Sequence, residues 1–424
     1  MNRANSQSVI VAQLGSRQDY TVPLALQRVG VLRHFYTDTY FNKLEMRFLR
    51  LCGRPLRNGL SRHHPALDSS RVTRLNRFGL KYRKALRSCG NAEEQHERFL
   101  DYGSAFNKEV LRRSPVSSSH VYAFDHAARD LFNAPIMNGR QRVLDQIYPA
   151  FSDETIQYEE EKRWPGWGKW SFSSFYESPV FKKWCDIQCE EWDLADTIIV
   201  ASEYSKRSVC AALPEISHKV KIVPLTVNIT EYERHKRVRR HKLHRPLRVL
   251  FVGTVSLRKG LPYLLSAFER IDPSVATLRV VGPIQLSAEK IRKYAGRVEF
   301  CGPVPHAQMP MTYSGADLFV FPTVSDGFGA VMLEAMATGL PVISTDHCGD
   351  VVADGVNGYR IPIRDVDAIC DCIQRFATSP DLLEGLSAGA AETVEKFRLA
   401  NYQRSLCAAL GIGTNGISPV QACV

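Results

Sequence analysis

The stretch FPTVSDGFGAVMLEAMATGLPVI, residues 321 to 343, decides the fold. An apolar run reaches Pro322, a glycine turn follows at Asp326-Gly327-Phe328-Gly329, an apolar helix opens at about Ala330 or Val331, and a β-branched run returns at Val342 and Ile343. Strand, turn, helix and strand in this order make a βαβ unit, whose two strands lie parallel in one sheet. The open N–H groups at the start of that helix suit an anion, and two glycines let a phosphate or sugar come close to the backbone.

The same alternation extends on either side. Toward the N-terminus of this half lie LRVLFVG, helix LPYLLSAFERI, TLRVVGP, RVEFCGP, helix HAQMPMTYSGA and DLFVFP; beyond it lie PVIST and GYRIP. The first half repeats the pattern with a strand from Ser8 to Gln13, a turn at Gly15, a helix containing PLALQRVGVL, and then HFYTD, HVYAFD and ADTIIVAS. Between the halves, EYERHKRVRRHKLHRP is basic and poorly periodic, as a linker would be. The expected fold class is α/β, with two doubly wound Rossmann-like domains facing across a cleft. Ligands then bind beyond the carboxyl ends of the strands. The expected divisions are 1–230, with a basic insertion at 43–87; a linker at 231–246; a second domain at 247–380; helices at 381–410 packing back toward the first domain; and a flexible tail at 411–424.

Composition agrees with two folded domains. The 424 residues, 44% hydrophobic and 23% charged with 27 Gly and 22 Pro, exclude disordered and collagen-like chains. Eleven cysteines, an odd number without a C-x-x-C pair, read as reduced thiols. No apolar run reaches the roughly 18 to 20 residues of a membrane span, so the chain is expected to be cytoplasmic, or peripheral at the inner face of a membrane.

The net charge of +11 is concentrated. Between Lys43 and Arg87 stand thirteen basic residues and two acids, Glu45 and Asp68, and the rest of the chain is balanced. Apolar residues alternate with the bases in LEMRFLRL and RLNRFGLKYRKAL. A solvated helical insertion would look like this, and so would an arm on an anionic membrane or acceptor. Nucleic acid is not an expected partner, because no reading module accompanies the charge.

Two motifs carry chemistry. Asp326 and Glu334 stand eight residues apart, one on the turn and one inside the helix, where ionised carboxylates accept hydrogen bonds from sugar and ribose hydroxyls. An ordinary turn residue and a solvated glutamate would share this spacing, but Glu334 lies in the apolar run AVMLEAMA, where a charge requires a partner. In FVGTVSLRKGLPYLL, residues 251 to 265, Arg258 and Lys259 follow a strand and precede a helix with Pro262 in its first turn. Two cations there neutralise a diphosphate, although a solvated turn would also read RKG.

Together these motifs resemble the retaining glycosyltransferases of family four, with the two-Rossmann GT-B fold. The resemblance is densest from LRVLFVGTVSLRKG to NGYRIP and weaker through ADTIIVASEYSKRSV and KIVPLTVN. It implies a hexosyltransferase that moves a sugar from a nucleotide diphosphate sugar to a glycan or lipid-linked acceptor, with no cofactor and no metal. The second domain would hold the donor and the first the acceptor. The resemblance further implies that Glu334 binds the ribose and Asp326 the donor sugar, with Asp one methylene shorter than the more common Glu. Gly327 and the amides of Phe328, Gly329 and Ala330 would hold sugar and diphosphate, and Lys259 the diphosphate. Thr254 stands where the family often has Arg, and Arg258 would substitute for it. The base would lie near Pro303 and Val304, Gly15 would belong to the loop after the first strand, and His126 would be the catalytic histidine of the first domain. A nucleotide-sugar epimerase on the same fold, or a non-catalytic nucleotide- or glycan-binding relative, are the alternatives. The tryptophan-rich stretch around Trp164, Trp167 and Trp170 would stack on an acceptor sugar, sit at a membrane interface, or pack on itself.

Overall fold

A computed structural model describes residues 7–51, 62–113, 116–236 and 246–413. Most of the expected linker, most of the tail, and residues 52–61 of the basic insertion, with Arg54, lie outside the described residues.

Two parallel sheets form the molecule. The first contains β1 (Val9–Gln13), β2 (Leu32–Thr37), β3 (Val72–Arg74), β4 (His120–Phe124), β5 (Gln141–Gln146), β6 (Thr197–Val200) and β7 (Val220–Ile222), in the order β3-β2-β1-β4-β5-β6-β7. The second contains β8 (Leu247–Val252), β9 (Ala276–Val281), β10 (Val298–Gly302), β11 (Leu318–Phe321), β12 (Val342–Thr345) and β13 (Gly358–Ile361), in the order β10-β9-β8-β11-β12-β13. In both, the first strand sits between its successor and a strand that arrives later, paired in register as Val11 with Phe35 and with Tyr122. The loops after β1 and β4, and after β8 and β11, therefore flank the crevices where strand order reverses.

Side-chain alternation divides the first sheet between two cores. Ile10, Ala12, Val121, Ala123 and Leu144 point to one face, and Val9, Val11, Tyr122, Phe124 and Val143 to the other. Leu399–Ala409 covers the second face with Tyr402, Leu406 and Cys407, whereas Pro380–Thr393 packs into the second sheet's core through Leu383, Leu386 and Ala390. Among the described residues no helix is long and apolar enough to cross a membrane.

The tryptophan-rich stretch is a strap between the lobes. It follows helix Ser152–Arg163, which grows out of the first sheet. Trp167 is buried in the second lobe's core, Trp164 meets Tyr263 edge-on at 5.4 Å, and Lys169 N donates to Gln285 O at 2.9 Å. Trp170 stays partly exposed. Glu160 completes the strap, accepting from Tyr263 Oη at 2.7 Å and Arg364 Nε at 2.6 Å.

Candidate functional site

The loop after β8 and the loop after β11 are stitched together. Val324 N donates to Arg258 O at 3.0 Å, and Thr323 Oγ1 to the same oxygen at 3.1 Å. Gly260 permits the approach: its φ is +68°, and a Cβ there would stand 1.8 Å from the Pro322 carbonyl oxygen. The close contact delivers Lys259 to Asp326, and the two form an ion pair. Lys259 is only 7% exposed. Burial presses its ammonium below the ordinary lysine value, and the neighbouring Arg258 charge adds to this. Burial works to raise the Asp326 carboxyl, but Lys259 and Arg258 overcome it and hold the group below the usual carboxylate range.

Arg258 turns to the first lobe. Its Nη1 lies 3.5 Å from Asp153 Oδ1 and 3.3 Å from Ser325 O, and its guanidinium sits 5.7 Å from the Tyr148 ring centre. Ser325 Oγ also donates to Asp153, Tyr204 Oη donates to Ser325 Oγ at 3.3 Å, and Ser202 Oγ donates to Gly327 O at 2.8 Å. The turn that the sequence offers to a ligand is thus roofed by first-lobe side chains. At Gly327 the missing side chain serves lobe contact: a Cβ would stand 2.0 Å from Ile147 O. At Gly329, with φ +75°, it would stand 2.7 Å from the Phe321 ring. Phe328 N donates to Asp326 Oδ1 at 3.2 Å, so one of the three amides expected to face a ligand is engaged within the turn. Ala330 precedes the helix Val331–Ala337.

Glu334 occupies the first turn of that helix and has the partner its apolar setting requires: Tyr313 Oη donates to Oε2 at 2.7 Å. Burial pushes its carboxyl up, partly offset by that hydrogen bond. Val304 is half-buried just beyond β10, and Pro303 beside it is exposed.

On the first lobe, Gly15 N donates to the buried Asp38 Oδ1 at 2.9 Å. Gln18, Asp19 and Tyr20 then follow with φ of 51°, 46° and 64°, three left-handed residues in succession. Each such residue costs on the order of 1 to 3 kcal/mol unless its surroundings fix it. Gln13 Nε2 donating to Gly15 O and Arg17 O, both at 3.1 Å, and Tyr20 Oη donating to Thr39 O at 3.1 Å, fix this loop. Arg17 Nη1 reaches Asp125 Oδ1 at 2.8 Å. His126 follows with φ 58°; the residue is 4% exposed and its ring is stacked on Trp184, the ring centres 3.6 Å apart. Glu191 accepts three amides of the same loop, from His126 at 2.6 Å, Ala128 at 2.8 Å and Arg129 at 3.0 Å.

The structure thus brings Arg258, Lys259, Asp326 and Gly327 together, with Glu334 in the first turn of the helix that follows. Among the described residues no hydrogen bond or ion pair links His126 or Gly15 to them. Sequence reasoning missed Asp153, Ser325, Tyr313, Arg17 and Asp125. Asp125, beside His126 at a strand end, carried a signal; Asp153, 105 positions from Arg258, carried none.

Residues 246–379 match the family described as Glycosyl transferases group 1. A D-inositol 3-phosphate glycosyltransferase from Streptomyces griseus is 32% identical over 167 residues, 35% of each chain. The chain spans about a third to a half of the length of the curated relatives it matches. Over nearly its whole length the fold is similar to sucrose-phosphate synthase from Thermosynechococcus elongatus (18% identity, 96% of this chain and 98% of that one, TM-score 0.66). It is also similar to Anabaena HepE in complex with UDP-glucose (14% identity, 95% and 99%, TM-score 0.61). The similarity to the group 1 glycosyltransferases thus lies in the second lobe, and both lobes together have the GT-B fold.

Proposed function

We propose that the chain transfers a sugar from a nucleotide diphosphate sugar to a glycan or lipid-linked acceptor, with retention of anomeric configuration and without a metal. The observation that carries this reading is the buried Lys259–Asp326 pair with Arg258 beside it, at the carboxyl ends of β8 and β11 and roofed by the first lobe. In this reading both cations exchange a carboxylate partner for the donor diphosphate and stabilise its charge as it leaves. Asp326, freed from Lys259, accepts from the donor sugar, and Glu334 accepts from the ribose. The bond from the sugar's anomeric carbon to the diphosphate oxygen breaks as the acceptor oxygen bonds to that carbon on the same face. The acceptor's hydroxyl proton passes to the departing diphosphate, so the protein supplies position and electrostatics. His126 serves the acceptor side once its ring leaves Trp184. The UDP-glucose bound to HepE makes a uridine diphosphate sugar the first donor to try. We place the enzyme at the cytoplasmic face of the membrane, touching it through 43–87.

The test is release of nucleoside diphosphate when donor and acceptor are combined, with the anomeric configuration of the product read by proton coupling and a chelator added in parallel. Expected are release, retention, no effect of chelator, and loss of release in Lys259→Ala. No release from any donor and acceptor pair, or equal release from the variant, contradicts the reading.

A further inference from the structure

A second group of cations gathers at the carboxyl edge of the first sheet. Helix Asn76–Arg87 follows β3 and is drawn onto the end of β2. Asn76 Oδ1 accepts from Tyr40 N at 3.0 Å. At Gly79 a Cβ would stand 2.0 Å from Thr39 Oγ1 and 2.7 Å from Asp38 O, so the helix lies directly on that backbone. One turn later, Arg83 reaches the same edge, with Nη2 3.5 Å from Thr39 Oγ1. Its Nε is buried and has no hydrogen-bond partner among the described residues. Arg62 Nη1 lies 3.2 Å from Asp38 Oδ1, and Arg17 holds Asp125 on the adjoining loop.

The buried carboxylates Asp38 and Asp125 are already engaged. Asp38 accepts from Gly15 N as well as from Arg62, and Asp125 faces both Arg17 and His126. Asp19, exposed on the same loop, acts on Glu334 and Tyr232 across the crevice and on His64. Arg83 therefore stands beside a second guanidinium with a hydroxyl as its hydrogen-bond partner. Burial, and then the charge of Arg62, push it below its ordinary value. Asp38 attracts it, but among the described residues no carboxylate hydrogen-bonds to it, which leaves its fork open to a further anion.

We propose that Arg62 and Arg83, with Arg17 beside them, dock a phosphate group of the acceptor, so that the acceptor is a phosphorylated molecule. This rests on the reading above, in which the first lobe holds the acceptor. Arginine forks arriving from separate elements match the several oxygens of a phosphate, whereas a carboxylate offers two oxygens in one plane. The position beyond the strand ends, beside the Gly15 loop, is where an open parallel sheet takes its ligand. A soluble phosphomonoester and a lipid phosphodiester share this chemistry.

The experiment measures binding to the full chain of sn-glycerol 3-phosphate, of glycerol, and of phosphatidylcholine vesicles with and without phosphatidylglycerol. Wild type, Arg62→Gln, Arg83→Gln, Arg83→Lys and Lys259→Ala are compared, each checked for folding by its melting temperature. Expected is binding of the soluble phosphate or of the phosphatidylglycerol vesicles, whichever source the site takes, and none of glycerol. That binding falls at least about tenfold in Arg62→Gln and Arg83→Gln, falls less in Arg83→Lys, and is unchanged in Lys259→Ala. Binding lost in Lys259→Ala and kept in Arg83→Gln would assign the phosphate to the donor loops and overturn the proposal. So would the absence of binding by both phosphate probes. A nucleotide-sugar stabilisation of the wild type, measured alongside, separates the two failures: its absence sinks the glycosyltransferase reading, whereas its presence without phosphate binding sinks only this one.

Discussion

At the switch point of the second sheet, between β8 and β11, cations and carboxylates are matched: Lys259 to Asp326, and Arg258 to Asp153 of the other lobe. At the switch point of the first sheet, between β1 and β4, Arg17 and Arg62 take Asp125 and Asp38, and Arg83 has a hydroxyl as its hydrogen-bond partner. The strand order is the same, but the chemistry differs. Matched charges can be exchanged for a ligand that leaves again, as a diphosphate must. On the proposal above, the open fork of Arg83 takes an anion that is held throughout. The topology sets where ligands sit, and the residues after each strand set what kind they are.

The largest effect that sharpens this contrast is expected from Lys259→Ala. It strands a buried Asp326 and, on the proposed reading, removes leaving-group stabilisation, so turnover should fall by at least about a hundredfold, near 3 kcal/mol of transition-state stabilisation. Steady-state kinetics check it, and near-wild-type turnover would break the assignment. Gly327→Ala comes next: its Cβ meets the Ile147 carbonyl oxygen of the opposite lobe, and overpacking of this kind costs about 1 to 3 kcal/mol. A lowered urea midpoint is the expected readout.

The pH dependence should run in opposite directions for Asp145 and Glu191 in the first lobe and for Asp326 in the second. In the first, burial raises the carboxyls of Asp145 to about 7 and of Glu191 to about 8. The folded state then holds protons that the unfolded chain has released, so this stability is present below about pH 4 and is lost as pH rises through about 7 to 8, by at most about 1.4 kcal/mol per group per pH unit. In the second lobe Asp326 is held below its ordinary value, so its contribution is present above the usual carboxylate range and is lost as pH falls through its lowered value. Hydrogen exchange on β5 and β11 across pH reads each lobe separately, and Asp145→Asn should flatten the first profile. The smallest effect is expected for Glu334→Gln. Removing a buried charge pushed toward protonation should stabilise the empty protein by about 1 kcal/mol while weakening donor binding, and calorimetry with and without donor checks both signs.

The second lobe was legible in the sequence because its strands are short apolar runs and its glycines mark close approaches, as at Gly260 and Gly329. In the first lobe β5, QRVLDQ, escaped notice because two of its buried residues, Asp145 and Gln146, are polar. The strand β3 is three residues long and too short for any period. WPGWGKW reads as a loop, and its use as a strap depends on the second lobe's surface around Tyr263 and Leu286, which no local pattern announces. The site divides in the same way. Arg258, Lys259, Asp326 and Glu334 lie beside motifs, whereas Asp153 and Arg83 become neighbours of their partners only after folding.

The central claim is that the crevice beyond β8 and β11 binds a nucleotide diphosphate sugar. A thermal-shift comparison of UDP-, GDP-, ADP- and dTDP-sugars on the wild type and on Glu334→Ala tests it most directly. Stabilisation by one nucleotide class, about 2.7 kcal/mol at a hundred times the dissociation constant and absent in the variant, is the predicted result. No stabilisation by any donor, or an equal shift in Glu334→Ala, would contradict it.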